Sequence, residues 1–349
     1  MTQAAVKKSR AARWVVVPTL IVLFLAVAWS GLWLYASRVA DRTIAEWMER
    51  EAQLGRVYAC ASRHVSGFPF RFELRCTDPT VELRGGSTPI VLKARALLAV
   101  AQIYRPDLLI AEVSGPMTVG NVGEPAAYSL DWALLQASVR GLPAAPERVS
   151  IVLDKARLDQ TSGTSGLIAS ADKAEFHVRR ATNADAANPA FDIVSRLTNA
   201  TLPSVPLLAS GPLNSEFSAV LRGVNDLLPK PIPVRLREWQ AAGGRLQITQ
   251  ARVAQGDAVG VATGVLGLTA EGRLDGTLDL TLAGFDQVVR AMTGGQSQGL
   301  GQMGLLAGLA ILGGRTELEG KRAIGVPLRF DRGTLFLGPI RVGQTGTFF

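Results

Sequence analysis

From Trp14 to Ala36 the chain runs for 23 residues without a charged side chain. A helix rises about 1.5 Å per residue, so this run is long enough to cross the roughly 30 Å hydrocarbon layer of a bilayer. Trp14 stands at one end and Trp33 and Tyr35 at the other, where aromatic rings favour the water–lipid boundary. A cleaved signal peptide is the competing reading, because Ala26-Val27-Ala28 offers a small-x-small site. The apolar run continues past that site through Trp29, Leu32, Trp33 and Leu34, longer than a signal core, and a retained anchor is expected.

Which side the remainder occupies depends on charge and on the cysteines. Lys7, Lys8, Arg10 and Arg13 precede the run with no acid among them, and Arg38, Arg42 and Arg50 follow it, a mild bias towards a cytoplasmic N-terminus. The chain holds two cysteines, Cys60 and Cys76, at a spacing that matches neither a zinc knuckle nor a redox pair. They form a disulfide if the domain lies in an oxidising compartment, and are two buried thiols otherwise. The disulfide is the preferred reading, and in a bacterium it requires the periplasm. The expectation is therefore a single-pass protein of the inner membrane, with residues 1–13 cytoplasmic, 14–36 transmembrane and the bulk periplasmic.

Residues 37–55 read as a helical stalk, with Ala40, Ile44, Trp47 and Met48 near one face and Gly55 placed to end it. Beyond it the signals are mainly β. In Gly67-Phe68-Pro69-Phe70-Arg71-Phe72-Glu73-Leu74-Arg75-Cys76, the apolar Phe70, Phe72 and Leu74 alternate with charged residues, the period of a half-buried strand opened by Pro69. Val81/Leu83, Ile151/Leu153 and Phe176/Val178 alternate in the same way between turn-forming breaks. Residues 215–228 are expected as a strand followed by a short helical turn, and Leu236 and Trp239 as a short helix stopped at Gly243-Gly244. An antiparallel meander follows through Leu246/Ile248, Val259/Val261 and Leu278/Leu280/Leu282, then helices near 285–292 and 300–312, then strands at Leu328/Phe330 and Leu335/Leu337. A soft boundary near the prolines of 199–212 divides the β region into 56–210 and 211–349. Gly67–Phe72 and Gly325–Phe330 share a pattern that would mark two related halves, but proline opening a strand with arginine facing solvent is common enough to explain it and is the preferred reading. The expected fold class is mainly β (α+β): an N-terminal transmembrane helix, then an elongated, curved antiparallel sheet with a few covering helices.

The run Tyr58-Ala59-Cys60, then Ser66-Gly67-Phe68-Pro69-Phe70-Arg71 and Cys76 after one N-terminal hydrophobic helix, resembles domain-of-unknown-function family 2125. Val326-Pro327-Leu328 through Gly338-Pro339-Ile340 is similar to that family's ending. The resemblance implies a bacterial single-pass envelope protein and carries no catalytic residues with it. The pattern is also distantly similar, at the level of fold alone, to the AsmA-like envelope proteins that build β-grooves for lipid.

No constellation for chemistry emerges. His64 and His177 lie far apart, with no metal-ligand neighbour at helical or hairpin spacing. Gly295-Gln296-Ser297-Gln298-Gly299 matches a nucleophile elbow by letter, but a helical pattern precedes it and no histidine follows. Setting aside the four basic residues of the tail, 33 basic face 29 acidic residues without a dense cluster, which gives nucleic-acid binding no support. The chain is read as no enzyme, with no cofactor, metal or catalytic residue. The expected role is binding or handling of a hydrophobic envelope component such as lipid. The candidate apolar groove is Phe70, Phe72, Leu74, Leu278, Leu280 and Leu282. The alternative is a scaffold that docks envelope proteins through a sheet edge or the stalk.

Overall fold

The computed structural model describes residues 10–349 apart from 85–87, 143, 183, 185–186, 206–207, 210, 229 and 285–313. The apolar run and the stalk form one unbroken helix, α1 (Arg10–Gln53). Gly55, at a φ of 80°, ends it where the chain must turn through the left-handed region.

The first strands are β1 (Arg56–Ala59), β2 (Ser62–Ser66), β3 (Arg71–Thr77), β4 (Thr80–Leu83), β5 (Ile90–Lys93), β6 (Ala96–Gln102), β7 (Arg105–Ser114), β8 (Met117–Asn121), β9 (Tyr128–Asp131) and β10 (Leu134–Arg140). Longer strands follow: β11 (Arg148–Gln160), β12 (Gly166–Arg180), β13 (Ala190–Ala200) and β14 (Leu213–Arg222). After α2 (Ile232–Ala241) come β15 (Arg245–Gln255), β16 (Ala258–Leu268), β17 (Leu274–Ala283), β18 (Gly314–Leu318), β19 (Lys321–Asp331), β20 (Thr334–Leu337) and β21 (Ile340–Gln344). All pair antiparallel in one open sheet, so the expected fold class holds.

The sheet forks at β11. Its first half, Arg148–Asp154, pairs with β10, and the last four residues, Arg157–Gln160, pair with β9. One arm runs β10-β7-β6-β3-β2 and the other β9-β8-β5-β4-β1. On the other side of β11 the trunk continues in sequence order from β12 to β17, then to β19, β20 and β21. A disulfide joins Cys60, just after β1, to Cys76 in β3, and so ties the two arms together. Among the described residues β1, β2, β18 and β21 each pair with one strand only, which leaves the sheet open.

The main core lies under α2. Trp239 packs with Val178, Phe191, Val224 and Leu268, and its indole N–H donates to the Arg222 carbonyl at 2.7 Å. A Cβ at Gly244 would lie 2.2 Å from that ring, so the backbone can pass there only as glycine.

Two local expectations change, and the two similar six-residue runs take different positions. Phe70 is not in a strand: the Arg71 N–H donates to the Gly67 carbonyl, closing a turn over 68–70, and β3 begins at Arg71. Residues 223–228 form no helical turn; Leu228 N–H instead donates to the Asp226 carboxylate. Pro327 lies inside β19 opposite Asp279, whereas Pro69 lies in the turn, so the two six-residue runs occupy unlike places. The helices expected near 285–292 and 300–312, and Ser297, lie outside the described residues. The 199–212 segment links neighbouring strands of the same sheet, since Ala200 pairs with Leu213.

Candidate functional site

Residues directly opposite in an antiparallel pair project to the same face, and the face alternates along each strand. The register therefore shows which side chains line up. Phe72 opposes Ala101, Ala101 opposes Leu109, and the row continues through Val139, Val149, Val178, Ile193, Ala219, Ile248, Gly264, Leu278 and Leu328 to Leu337. Every member is apolar or glycine. The next row runs from Leu74 through Ala99, Ala111, Ala137, Ile151, Phe176, Ser195, Phe217, Ala251, Ala262 and Leu280 to Val326, with one serine. A third runs from Cys76 through Leu97, Val113, Leu135, Leu153, Ala174, Leu197, Ser215, Val253, Gly260 and Leu282 to Ile324.

Residues offset by one position point to the opposite face, and the charged side chains fall there. Arg75, Glu112, Gln136, Glu175, Arg196, Glu216 and Arg252 fall in one such row, interrupted by Leu98 and Val152. Gln136 donates to Glu112 at 3.1 Å and Arg196 pairs with Glu216 at 3.5 Å. From β3 to β15 the second face thus carries the charged side chains, with Val100, Ile110 and Val194 among them.

The apolar face is covered unevenly. α2 closes over Val178 and Ile193, and at the far end Val326 and Leu337 are buried together. Between these Leu278, Leu280 and Leu282 are only half-buried, while Phe176 and Val253 keep 41% and 39% of their surface exposed. Glycines recur on this face, at Gly260, where a Cβ would lie 3.1 Å from the Leu282 side chain, and at Gly264, where it would meet the β17 backbone.

Five of the six candidate groove residues lie on this face, in two groups that do not touch: Phe72 and Leu74 in β3, and Leu278, Leu280 and Leu282 in β17, with nine strands between them. Phe72 and Leu278 share the first row and Leu74 and Leu280 the second, while Leu282 lies in the third. Phe70 does not join them: it projects from the turn before β3 and is 64% exposed. The middle of the face, Ile151, Phe176 and Phe217 among it, was visible in the sequence only as separate alternations, because their shared row depends on the pairing.

The first row begins at α1. Trp33 lies between Phe68 and Phe72, with ring centroids at 5.6 and 5.9 Å, and its N–H donates to the Arg71 carbonyl at 3.3 Å. Trp29 donates to the Pro69 carbonyl at 3.1 Å. Further along α1, Asp41 pairs with Arg63 at 3.0 Å and the Trp47 ring meets Tyr58 at 4.7 Å. The helix is thereby fixed to β1–β3 along its second half.

Residues 33–345 match the family described as "Uncharacterized protein conserved in bacteria", domain-of-unknown-function family 2125. The chain belongs to this family. The matched region opens at Trp33, so it includes the docking of the helix on β3 and nearly the whole apolar face. No curated protein matches the sequence. Among the described residues of this chain one helix, near the N-terminus, is long and apolar enough to cross a membrane.

His64 and His177 remain apart. His64 opposes Arg75 in the β2–β3 pair, and His177 sits on the charged face between Ser150 and Val194. Among the described residues no group of three His, Cys, Asp or Glu side chains is arranged to hold a metal.

Proposed function

We propose that the protein is a non-enzymatic, membrane-anchored lipid-binding protein whose β domain lies in the periplasm. Its apolar sheet face receives acyl chains. The observation that carries this reading is the continuity of the three apolar rows from Phe72, against the anchor helix, to the β17–β19 end. A closed core would bury such rows throughout, whereas Phe176 and Val253 retain about two-fifths of their surface. A broad apolar surface of this kind marks a ligand or partner site. The Cys60–Cys76 disulfide supports the oxidising side of the membrane.

The test is photo-crosslinking in intact cells. A benzophenone amino acid at Phe176 or Val253 probes the apolar face, and one at Glu175 or Arg252 probes the charged face. Phospholipid adducts at the first pair and none at the second are expected. Protein adducts without lipid at Phe176 and Val253 would overturn the lipid reading and point to a scaffold.

A further inference from the structure

We infer that the tips of the β2–β3 and β6–β7 connections insert into the same bilayer that α1 crosses, as a second membrane contact beside the anchor. This rests on α1 spanning the membrane and is independent of whether the apolar face holds lipid.

The geometry starts from the helix. Trp14 and Trp33 are 19 residues apart, which at about 1.5 Å per residue is roughly 28 Å, close to the thickness of the hydrocarbon layer. With Trp14 at one boundary, Trp33 lies at the other and Trp29 about 6 Å deeper, one turn towards the bilayer centre. These are the two residues that hold the β2–β3 turn: Trp29 donates to Pro69 and Trp33 meets the Phe68 ring edge-on. The turn is therefore held at the depth of the lipid boundary.

What it presents there is aromatic. Phe68 is 53% exposed and Phe70 64%, although both belong to the end of the domain that is packed on α1. The second tip lies beside the first, since Ile103 N–H donates to the Phe70 carbonyl at 3.1 Å, and it presents Tyr104 at 69% exposed. In water three neighbouring exposed rings are unfavourable; at a bilayer boundary they occupy the region aromatic side chains prefer. Each tip ring is followed by a cation, Arg71 after Phe70 and Arg105 after Tyr104, and both arginines are exposed. That order suits an apolar ring facing acyl chains with a guanidinium at the anionic headgroups. One consequence is that the first apolar row begins at the membrane surface.

Because both native cysteines are in the disulfide, single added cysteines can be labelled selectively. Full-length Phe70→Cys, Tyr104→Cys, Leu20→Cys and Ser165→Cys would each carry an environment-sensitive fluorophore in phosphatidylcholine–phosphatidylglycerol liposomes. A share of the lipids carries a spin label near the glycerol end of the chains. Leu20 reports the span and Ser165 a distant exposed loop. Blue-shifted emission at 70 and 104, with loss of most intensity to the spin label, is the expected result, against unshifted, unquenched emission at 165. Tip labels that match Ser165 while Leu20 is quenched would overturn the inference. A Leu20 label left in water would overturn its premise, the span itself.

Discussion

Trp33 of α1 stacks on Phe72 of β3 with ring planes 16° apart, so the apolar N-terminal helix and the β domain meet through an aromatic contact rather than through a flexible linker. Trp33 is 8% exposed although its neighbours Leu32 and Leu34 are more than half exposed. One face of the helix is open and the other packs on the sheet.

Replacing Trp33 removes that contact. Trp33→Ala is expected to destabilise the domain by about 3 kcal/mol, the range for truncating a large buried aromatic. Trp33→Phe, which keeps the stacking and loses the bond to Arg71, should recover most of it. Urea unfolding in detergent, followed by near-ultraviolet circular dichroism, measures both.

The Cys60–Cys76 bond closes a loop of 16 residues between the arms. Chain-entropy arithmetic puts the cost of its loss at about 3 kcal/mol. The Cys60→Ser/Cys76→Ser double variant should therefore unfold at a clearly lower temperature than the oxidised protein. The two should converge when the parent is reduced.

Glu73 lies buried on the charged face with Arg71 at 2.5 Å and Arg75 at 2.8 Å. The hydrogen bond from Arg75, reinforced by both positive charges against the opposing effect of burial, holds its carboxyl below the ordinary value of 4.5. A lowered folded value means that the ionised form stabilises the fold. The contribution is complete above the ordinary value and is lost as pH falls through the folded one. Glu73→Gln should thus be less stable than the parent at neutral pH, by a constant margin down to about pH 4.5, with the gap closing in more acid solution. Thermal melts across that series test it.

Gly264 sits in the first apolar row at a φ of 152°, and a Cβ there would lie 2.2 Å from the Thr277 carbonyl oxygen. Gly264→Ala is expected to cost about 1–3 kcal/mol by forcing β16 away from β17. Hydrogen exchange should show the loss concentrated in those two strands. Uniformly faster exchange would mean that the position is not a local constraint.

Much of the architecture was legible in residue order because it depends on short-range properties. A charge-free run of 23 residues makes a long helix, strict alternation makes β11, β12 and β15–β17, and the Gly256–Asp257 turn makes a hairpin. The misplaced start of β3 has a local cause that alternation does not register: Phe70 keeps the period, yet the bond from Arg71 to Gly67 spends its neighbourhood on a turn. The candidate face was legible only at its two ends, Phe72/Leu74 and Leu278/Leu280/Leu282, where the alternation is strongest.

By itself the sequence determined which residues prefer lipid, which strands are two-faced and which pair of thiols was available to join. Only the tertiary structure decided that β11 forks, that Cys60 meets Cys76, that Trp33 lies on Phe72, and that thirteen strands keep a register in which their apolar faces coincide. The physical reason is that alternation specifies a face within one strand, while register is a relation between strands. One residue of slip in any pair would have sent the rest of the row to the charged side.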